Sequence, residues 1–337
     1  MKVIEIQERF GLDALVMSER EQPQPGRRQV TVRVQAVSLN FRDLMTVKGD
    51  YNPRQPLPLI PCSDGAGEVV EVGADVTRVQ PGDRVAGIFA QRWLGGEPPA
   101  EARGSTLGGP LDGMAAEYVV LDEDGVVPVP EHLDLEQAAT LPCAAVTAWN
   151  AVVEQGRVRA GDTVLVLGTG GVSIFALQFA RAAGARVIVT SSSDDKLERA
   201  RALGADAGIN YREHPDWYKR VLELTDGRGV DQVVEVGGAG TLQQSVNAVR
   251  IGGTISVIGV LSGVKSELDV RPVLMKGVRL HGVFVGPREM FEAMNRAIAL
   301  HRIEPVIDSR FEFDAFREAL EHMAAGRHFG KIVVRVG

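Results

Sequence analysis

The sequence predicts an α/β protein that combines a β-rich, barrel-like domain with a doubly wound parallel sheet. Up to about residue 120, the strands are short and alternating or apolar, as in residues 30–37, and turn residues close them. From Ala160 onward, apolar strands alternate with glycine turns and amphipathic helices. Strands that are apolar on both faces and alternate with helices are typical of a parallel sheet covered on both sides.

The parallel sheet is predicted to have six strands, at residues 163–167, 186–190, 207–209, 231–235, 254–259 and 279–285. Helices are predicted between them, for example over 172–183 and 194–203. After residue 286, the pattern predicts helices over 289–301 and 315–325 and a strand over 330–336. This tail has no partner strand in the αβ unit, so we expect it to return to the first domain. The predicted domains are 1–122, 123–286 and 287–337.

Length, charge and cysteine content exclude several classes of protein. The chain has 337 residues, which favours about two domains. Its formal charge of -7 argues against nucleic acid or an anionic membrane as a main partner. Apolar runs fall far short of the roughly 20 residues of a membrane span, and the N-terminus lacks the apolar core of a signal peptide. The two cysteines, Cys62 and Cys143, suit a reducing compartment, so we expect a cytoplasmic protein.

A glycine turn follows the first predicted strand of the parallel sheet. Residues 168–173 read Gly-Thr-Gly-Gly-Val-Ser. Gly168 would make the turn, and Gly170 would let a pyrophosphate approach the backbone. The amides of Gly171 and Val172, at the start of the next helix, would bind its negative charge. The segment between strand and helix therefore predicts a dinucleotide site, with serine where a third glycine or alanine is usual.

The end of the second predicted strand favours NADP(H) over NAD(H). NAD selectivity normally needs a carboxylate there, but residues 190–193 are Thr-Ser-Ser-Ser. Asp194 and Asp195 come later and are interpreted as helix-start, capping residues. A 2′-phosphate could accept from Ser192 and meet the charge of Lys196. A solvated position on the helix surface remains the alternative for Lys196.

Further cofactor contacts are expected where the later strands of the sheet end. Gly237 follows the fourth strand, Val260 the fifth, and Phe284 lies near the end of the sixth. Ligands of an open α/β sheet lie beyond the carboxyl ends of its strands. We therefore expect these three residues near the ribose and nicotinamide of the cofactor.

Two further segments match motifs of a known family, and the similarity to that family extends over essentially the whole chain. Residues 38–43, Ser-Leu-Asn-Phe-Arg-Asp, match an Asn-Phe-x-Asp segment, and residues 141–149 match a Pro-x-x-x-x-Thr-Ala-x segment. Together with the glycine turn, they resemble the medium-chain dehydrogenase/reductase superfamily, in its zinc-independent, quinone-oxidoreductase-like branch. The resemblance implies a GroES-like catalytic domain, an inserted Rossmann domain and a nicotinamide in the cleft between them. It also implies that Thr147 lies near the nicotinamide, that Tyr211 joins Ser192 and Lys196 around the 2′-phosphate, and that Lys331 contacts the cofactor.

No metal site is expected. A catalytic zinc needs three donors such as Cys and His. Asn40 takes the position of the cysteine ligand of the zinc relatives, and Ser63 takes that of the histidine ligand. Residues 91–112, where those relatives carry a four-cysteine lobe, contain no cysteine. Cys62 lies one position from the expected histidine ligand, so adventitious metal binding is the only metal-related alternative. No two histidines have the spacing of a ligand pair such as His-x-x-x-His.

Without a metal to lower the pKa of an alcohol, reduction of an already polarised acceptor is the easier reaction. A quinone or a conjugated enone accepts hydride at carbon and needs hydrogen-bond donors for its oxygen. The candidate donors are Asn40, Arg42 and Tyr51. Asn40 could instead tie a loop, Tyr51 could be a packing aromatic, and Arg42 could form a structural ion pair with Asp43. Asp64 is interpreted as a local hydrogen-bond acceptor rather than a general base.

The leading hypothesis is an NADPH-dependent, zinc-independent reductase of a quinone or a conjugated enone or carbonyl. The alternatives are an alcohol dehydrogenase acting on small alcohols or aldehydes, and a non-catalytic NADPH-binding sensor or crystallin-like protein. The sixth predicted strand would lie at a sheet edge, and exposed edges invite pairing with a second copy. The resemblance also implies a homodimer, with a tetramer left open.

Overall fold

A computed structural model describes residues 1–337, which divide into two units. The first unit contains residues 1–146 and 286–337, and the second contains residues 147–285. None of the helices combines the length and the apolar character that a bilayer-spanning segment needs.

The strands are β1 (Lys2–Ile6), β2 (Leu15–Glu19), β3 (Gln29–Ser38), β4 (Asp64–Val72), β5 (Arg84–Gly87), β6 (Tyr118–Asp122), β7 (Val126–Pro128), β8 (Thr163–Leu167), β9 (Arg186–Ser191), β10 (Ala207–Asn210), β11 (Val230–Glu235), β12 (Val249–Val257), β13 (Arg279–Gly282), β14 (Ile307–Phe311) and β15 (Lys331–Arg335). The α-helices are α1 (Phe41–Lys48), α2 (Leu135–Ala139), α3 (Val146–Trp149), α4 (Gly171–Ala182), α5 (Asp194–Ala202), α6 (Trp217–Leu224), α7 (Leu242–Ala248), α8 (Arg271–Lys276), α9 (Arg288–His301) and α10 (Phe316–Ala324). Two π-helical stretches, Leu141–Ala145 and Asn150–Gln155, flank α3.

The second unit is built on a six-stranded parallel sheet in the order β10-β9-β8-β11-β12-β13. All six predicted strands are present, and the doubly wound parallel sheet is confirmed. The order reverses between β8 and β11, because the chain adds β9 and β10 on one side and then returns to add β11 on the other. This reversal is the switch point where ligands of such sheets bind. Apolar side chains of the strands, such as Leu165, Ile188 and Val233, form a buried core with α6 and α7.

Two strand ends of the parallel sheet differ from the prediction by three residues or more. β12 begins earlier than predicted, at Val249, because its first residues pair irregularly with β11 around Gly252 and Gly253. β13 ends at Gly282 rather than at residue 285. Val285 has a φ of 43°, which a β-branched residue rarely adopts, so the backbone is no longer extended there.

The first unit contains a seven-stranded sheet in the order β14-β15-β3-β4-β5-β7, with β6 also paired to β3. All pairs are antiparallel except β14 with β15. The C-terminal strand β15 thus lies next to β3, near the other end of the sequence. Strand residues and α10 enclose one buried apolar cluster that includes Val32, Val69 and Phe316.

The chain passes from the first unit to the second at Val146 and returns at Gly286. The predicted boundary stood at residue 122, but the residues just after it stay with the first unit. β7 pairs with β5, and the Cys143 amide donates to Asp64 at the start of β4. The sequence could not indicate these pairings, because residues 123–146 precede the αβ alternation and no local pattern shows which strand they contact.

Candidate functional site

Three strand ends meet in the first unit and bring polar residues together. β3 runs into Asn40 and α1, whereas β4 begins at Asp64 and β15 begins at Lys331. Ser38 at the end of β3 is paired with Asp64 on one side and with Val333 on the other. Because both neighbours are antiparallel to β3, their first residues lie beside its last ones.

Lys331 fixes the orientation of the Asn40 amide. The Lys331 side chain is 3% exposed, and its Nζ donates to Leu39 O at 2.7 Å and to Asn40 Oδ1 at 2.7 Å. An ammonium group only donates, so the amide oxygen must face it. Asn40 Nδ2 is 3.4 Å from Ser63 Oγ, which uses one of its two hydrogens. The Asn40 side chain is also hydrogen-bonded to the Asp64 carboxyl group. The Nδ2 group of the half-buried Asn40 is thereby directed away from the lysine, toward Ser63 and Asp64.

Two fully buried carboxyl groups support this arrangement. Asp43 accepts from Asn40 N at 2.8 Å, which fixes the first turn of α1, and from Ser63 N at 3.2 Å. Asp64 accepts from Ser63 Oγ at 2.8 Å and from Cys143 N at 3.0 Å, so its predicted role as a local hydrogen-bond acceptor is confirmed. Both carboxyl groups therefore hold the segments that carry Asn40.

Burial perturbs both acids. It raises the pKa of Asp43 to about 6; the charge of Arg42 opposes this effect, and that of Asp64 adds to it. Burial also raises the pKa of Asp64, and the nearby charge of Lys331 opposes the shift. Burial and the neighbouring carboxyl groups raise the pKa of the Cys62 thiol well above its ordinary value. Cys62 is accordingly a protonated, inert thiol at neutral pH.

Arg42 is tied to the main chain of a neighbouring loop. It donates to Leu107 O at 2.7 Å and to Gly109 O at 2.9 Å, and its guanidinium lies 4.9 Å from the ring centroids of both Tyr51 and Phe89. The predicted ion pair with Asp43 is present at 3.7 Å. These contacts favour the structural interpretation of Arg42 and give Tyr51 a cation–π partner. The catalytic roles of Arg42 and Tyr51 stay predictions.

The donors present do not fit a catalytic zinc. The positions that the resemblance aligned with zinc ligands hold Asn40 and Ser63, and zinc is bound in proteins by Cys, His and carboxylates. Across the chain, no group of three or more His, Cys, Asp or Glu side chains is arranged to hold a metal ion.

The second unit contains the predicted glycine turn. Gly168 has a φ of 71° and follows β8, and a Cβ on Gly170 would meet no protein atom within 4 Å. Packing within the chain therefore does not require glycine at position 170, whereas the close approach of a ligand would. The first hydrogen bond of α4 runs from Ile174 N to Gly170 O, and no side chain caps the amides before it. Open space beside uncapped amides fits a pyrophosphate.

The residues predicted around the 2′-phosphate follow two paired strands. Ser191 at the end of β9 is paired with Asn210 at the end of β10, so Ser192 and Tyr211 leave adjacent strands at the same edge of the sheet. Tyr211 is 41% exposed, and its amide donates to Ser191 O at 3.0 Å. Lys196 lies in the first turn of α5. The role of the three residues in binding NADP(H) stays a prediction.

The helix-start interpretation of the two aspartates is confirmed, with one correction. Asp194 and Asp195 lie in the first turn of α5, but the capping residue is Ser193. Its Oγ accepts from Lys196 N at 3.4 Å. Serine is a preferred N-cap because its side-chain oxygen can accept from an amide of the first turn.

The remaining predicted cofactor contacts follow the other strands of the sheet. Gly237 lies after β11, Val260 after β12, and Phe284 after β13, all at the carboxyl edge of one parallel sheet. Thr147 is buried on α3, between the two π-helical stretches. π-Helical turns are rare and occur often at functional sites. The cofactor contacts of these four residues and of Lys331 stay predictions.

Two features of the sites were missed at the sequence level. The contact of Lys331 with Asn40 joins residues separated by 291 positions, and no local pattern indicates it. Glu235, the acidic last residue of β11, was not interpreted, although its place after Val233 and Val234 was a usable signal.

Comparison with known proteins identifies the family. Residues 26–131 match the family described as alcohol dehydrogenase GroES-like domain, and residues 171–299 match the family described as zinc-binding dehydrogenase. A zinc-type alcohol dehydrogenase-like protein of Schizosaccharomyces pombe is 45% identical over 335 residues, which span 97% of this chain and 96% of the relative.

Solved structures agree with this assignment. A structure named NAD-dependent alcohol dehydrogenase is 35% identical with a TM-score of 0.92, and 100% of each chain is covered. A quinone oxidoreductase from Coxiella burnetii is 28% identical with a TM-score of 0.81, over 100% of this chain and 99% of the other. The chain belongs to the medium-chain dehydrogenase/reductase superfamily and is an alcohol dehydrogenase-like oxidoreductase with a GroES-like domain and a Rossmann sheet.

Proposed function

We propose that this protein is an NADPH-dependent reductase that transfers a hydride to a quinone or a conjugated enone or carbonyl without a zinc ion. The observation that carries the proposal is the Asn40 amide, which Lys331 orients. The family resemblance aligns Asn40 with a zinc ligand. An amide N–H can stabilise negative charge that develops on a substrate oxygen, but it cannot act as a metal ligand of the usual kind.

The chain supplies binding and orientation for the cofactor. Bound NADPH would supply the hydride. The uncapped amides of α4 would hold its pyrophosphate, next to the open space at Gly170. Ser192, Lys196 and Tyr211 would surround its 2′-phosphate, and no carboxylate stands at the end of β9 to accept from a free 2′-hydroxyl.

The substrate class follows from the donors of the first unit. A quinone or an enone places negative charge on oxygen when hydride reaches carbon. The Asn40 Nδ2 group, which is within hydrogen-bond reach of Ser63 and Asp64, would donate to that oxygen. Lys331 and Asp43 hold the Asn40 amide and backbone in place. Preorganised donors of this kind need no reorganisation as the charge develops.

The similarity to proteins described as alcohol dehydrogenases or as alcohol dehydrogenase-like favours a second candidate, an alcohol dehydrogenase. Both the S. pombe relative and the similar structure named NAD-dependent alcohol dehydrogenase carry that description. Oxidation of a simple alcohol requires loss of its proton, and a zinc ion usually lowers the pKa of the bound alcohol. The side chains at Asn40 and Ser63 do not provide such a site.

Steady-state assays separate the candidates. The purified protein is assayed with NADPH and NADH against a quinone, a cyclic enone and a primary alcohol, with and without a chelator, and its zinc content is measured. We expect turnover of the quinone or the enone with NADPH, unaffected by the chelator. Alcohol oxidation abolished by the chelator, or one tightly bound zinc per subunit, would establish the alternative, and cofactor binding without any turnover would indicate a sensor.

A matched variant tests the cofactor preference. Ser192→Asp places a carboxylate where NAD-selective relatives of this fold have one. We expect the KM for NADPH to rise about tenfold or more and the KM for NADH to fall. An unchanged ratio of the two KM values would contradict the predicted 2′-phosphate site.

We also propose a homodimer formed through β13. This strand is the edge of the six-stranded sheet, and Leu280 on it is 38% exposed. Leu274 and Met275 on the neighbouring α8 are each 79% exposed. An apolar sheet edge of this kind is suited to pairing with a second copy of the chain.

A further inference from the structure

A buried carboxyl group ends the fourth strand of the parallel sheet. Glu235 is 0% exposed, and no basic side chain forms an ion pair with it. Its Oε1 accepts from Gly237 N at 2.8 Å, from Gly238 N at 3.0 Å and from Thr241 Oγ1 at 2.6 Å. Its Oε2 accepts from Ser245 Oγ. A buried carboxyl group without a cation requires such donors, and here they all come from the loop after β11 and from the helix that follows.

The loop that Glu235 binds, residues 236–241, is also joined to the loop after β12. Ser262 donates to Gly237 O through its amide at 2.7 Å and through its hydroxyl at 2.8 Å. Gly240 N donates to Ser262 Oγ at 3.0 Å. Glu235 thus holds the loop from its buried side, and Ser262 holds it from its exposed side.

The packing of this loop leaves no room for a side chain at Gly237 or Gly238. A Cβ on Gly237 would lie 2.3 Å from Thr241 Oγ1, and one on Gly238 would lie 2.8 Å from Gly263 O. Gly238 has a φ of 85°, which favours glycine. The loop therefore has one conformation, which the Glu235 carboxyl group and the glycines together specify.

The loop borders the switch point of the sheet. β11 pairs with β8, which carries the glycine turn, and a Cβ on Gly168 would lie 4.0 Å from Val236 Cγ2. Residues 236–238 therefore stand beside the turn where the proposed cofactor binds. In a sheet of this kind, the crevice between these two strand ends receives the dinucleotide.

We propose that Glu235 is a positioning residue for cofactor binding, which holds the main chain of residues 236–238 in the conformation that contacts the dinucleotide. This inference rests on the proposed cofactor. When the carboxyl group is removed, the loop amides lose their acceptors, and the loop is no longer fixed beside Gly168. The loop then becomes ordered only when the dinucleotide binds, and the entropy cost of ordering it lowers the affinity for the dinucleotide.

The test compares three variants by fluorescence titration with NADPH and by steady-state kinetics. Glu235→Leu removes all four hydrogen bonds, and we expect the Kd for NADPH to rise about tenfold or more, with the KM for NADPH rising in parallel. Glu235→Gln keeps one oxygen for the amides of Gly237 and Gly238, and we expect it to restore the Kd to within about threefold of the parent. Glu123→Leu removes a buried glutamate of the first unit that also accepts backbone amides, so it should lower the melting temperature and leave the Kd unchanged.

A purely structural role for Glu235 predicts another pattern. Glu235→Leu would then melt at a lower temperature but bind NADPH with the parent Kd, and that result overturns the inference. If Glu235→Leu does not fold, Thr241→Val and Ser262→Ala each remove contacts of the same loop, and parent-like Kd values for both overturn it as well. If the parent protein binds neither NADPH nor NADH, the proposed function itself fails. If the parent binds NADPH and the variants bind it equally well, only the positioning role of Glu235 fails.

Discussion

Lys331 Nζ donates a 2.7 Å hydrogen bond to Asn40 Oδ1; Lys331 begins β15, and Asn40 lies two residues after the end of the neighbouring strand β3. The bond directs Asn40 Oδ1 toward Lys331 and leaves Nδ2 on the opposite side, next to Ser63 and Asp64. It also places a positive charge near two buried carboxyl groups, Asp43 and Asp64. The two residues thus connect the electrostatics of the buried cluster to the donor proposed for the substrate oxygen.

The donating end of the Asn40 amide can be removed while the oxygen that accepts from Lys331 is kept. Asn40→Asp keeps an oxygen for Lys331 and replaces the donating NH₂ with an acceptor. Loss of one oxyanion donor lowers kcat by about 100-fold or more in other enzymes, so we expect a decrease of that order here. The Kd for NADPH should not change. Steady-state kinetics with the best acceptor and a cofactor titration measure both values, and a parent-like kcat would remove Asn40 from the reaction.

The positioning role of Lys331 predicts a different response. Lys331→Met removes the bond to Asn40 and leaves two buried carboxyl groups without this charge. We expect kcat to fall about tenfold or more and the free energy of unfolding to fall by about 3 kcal/mol. Lys331→Arg retains a positive donor and should recover most of the stability. Urea unfolding and kinetics of both variants check this, and a Lys331→Met protein with the parent kcat would contradict the positioning role.

The raised pKa of Asp43 predicts that stability depends on pH. Its folded-state pKa of about 6 lies above the ordinary value of 3.8, so the folded protein holds more protons than the unfolded chain between these values. The contribution of Asp43 to stability is therefore complete below about pH 4 and is lost as the pH rises through 6. From pH 5 to pH 8, the difference in unfolding free energy between the parent and Asp43→Asn should shift by about 1 kcal/mol in favour of the variant.

Urea denaturation of both proteins at pH 5 and pH 8 measures this shift. Asparagine keeps one acceptor for the Asn40 amide, so the first turn of α1 should be retained. A difference that stays constant between the two pH values would show that Asp43 titrates at its ordinary pKa.

The parallel sheet could be predicted because its strands are continuous apolar runs between glycine turns. Thr163–Leu167, for example, is buried at every position and leads directly into Gly168. The first unit was harder to predict, because its site depends on the pairing of β3 with β15. α1 was not predicted as a helix, although Asn40 followed three residues later by Asp43 resembles a helix-start pattern. Local sequence thus indicated the residues at the ends of strands but not the residues that they contact across the sheet.

The open space at Gly170 predicts a selective effect on cofactor binding. Gly170 has a φ of -80° and a ψ of -174°, which alanine can adopt, and no protein atom lies within 4 Å of its Cβ position. Gly170→Ala should therefore leave the melting temperature unchanged and raise the Kd for NADPH about tenfold or more, because the methyl group occupies the space of the pyrophosphate.

Gly104→Ala is the matched control, since a Cβ there also meets no protein atom, and it lies in the first unit. It should change neither the melting temperature nor the Kd. If Gly170→Ala binds NADPH as well as the parent does, the glycine turn is not the pyrophosphate site.

The exposed edge of β13 predicts the assembly state. Leu280 lies on this edge strand, and a lysine there would place a charge at an apolar contact between two copies. We expect the parent to sediment as a dimer at micromolar concentration and Leu280→Lys to shift it toward the monomer. Leu300→Lys, at an exposed leucine of α9, should sediment like the parent, because that residue lies outside the sheet. A parent that is monomeric at this concentration would exclude the proposed dimer, and a Leu280→Lys dimer of parent stability would exclude the β13 edge as its interface.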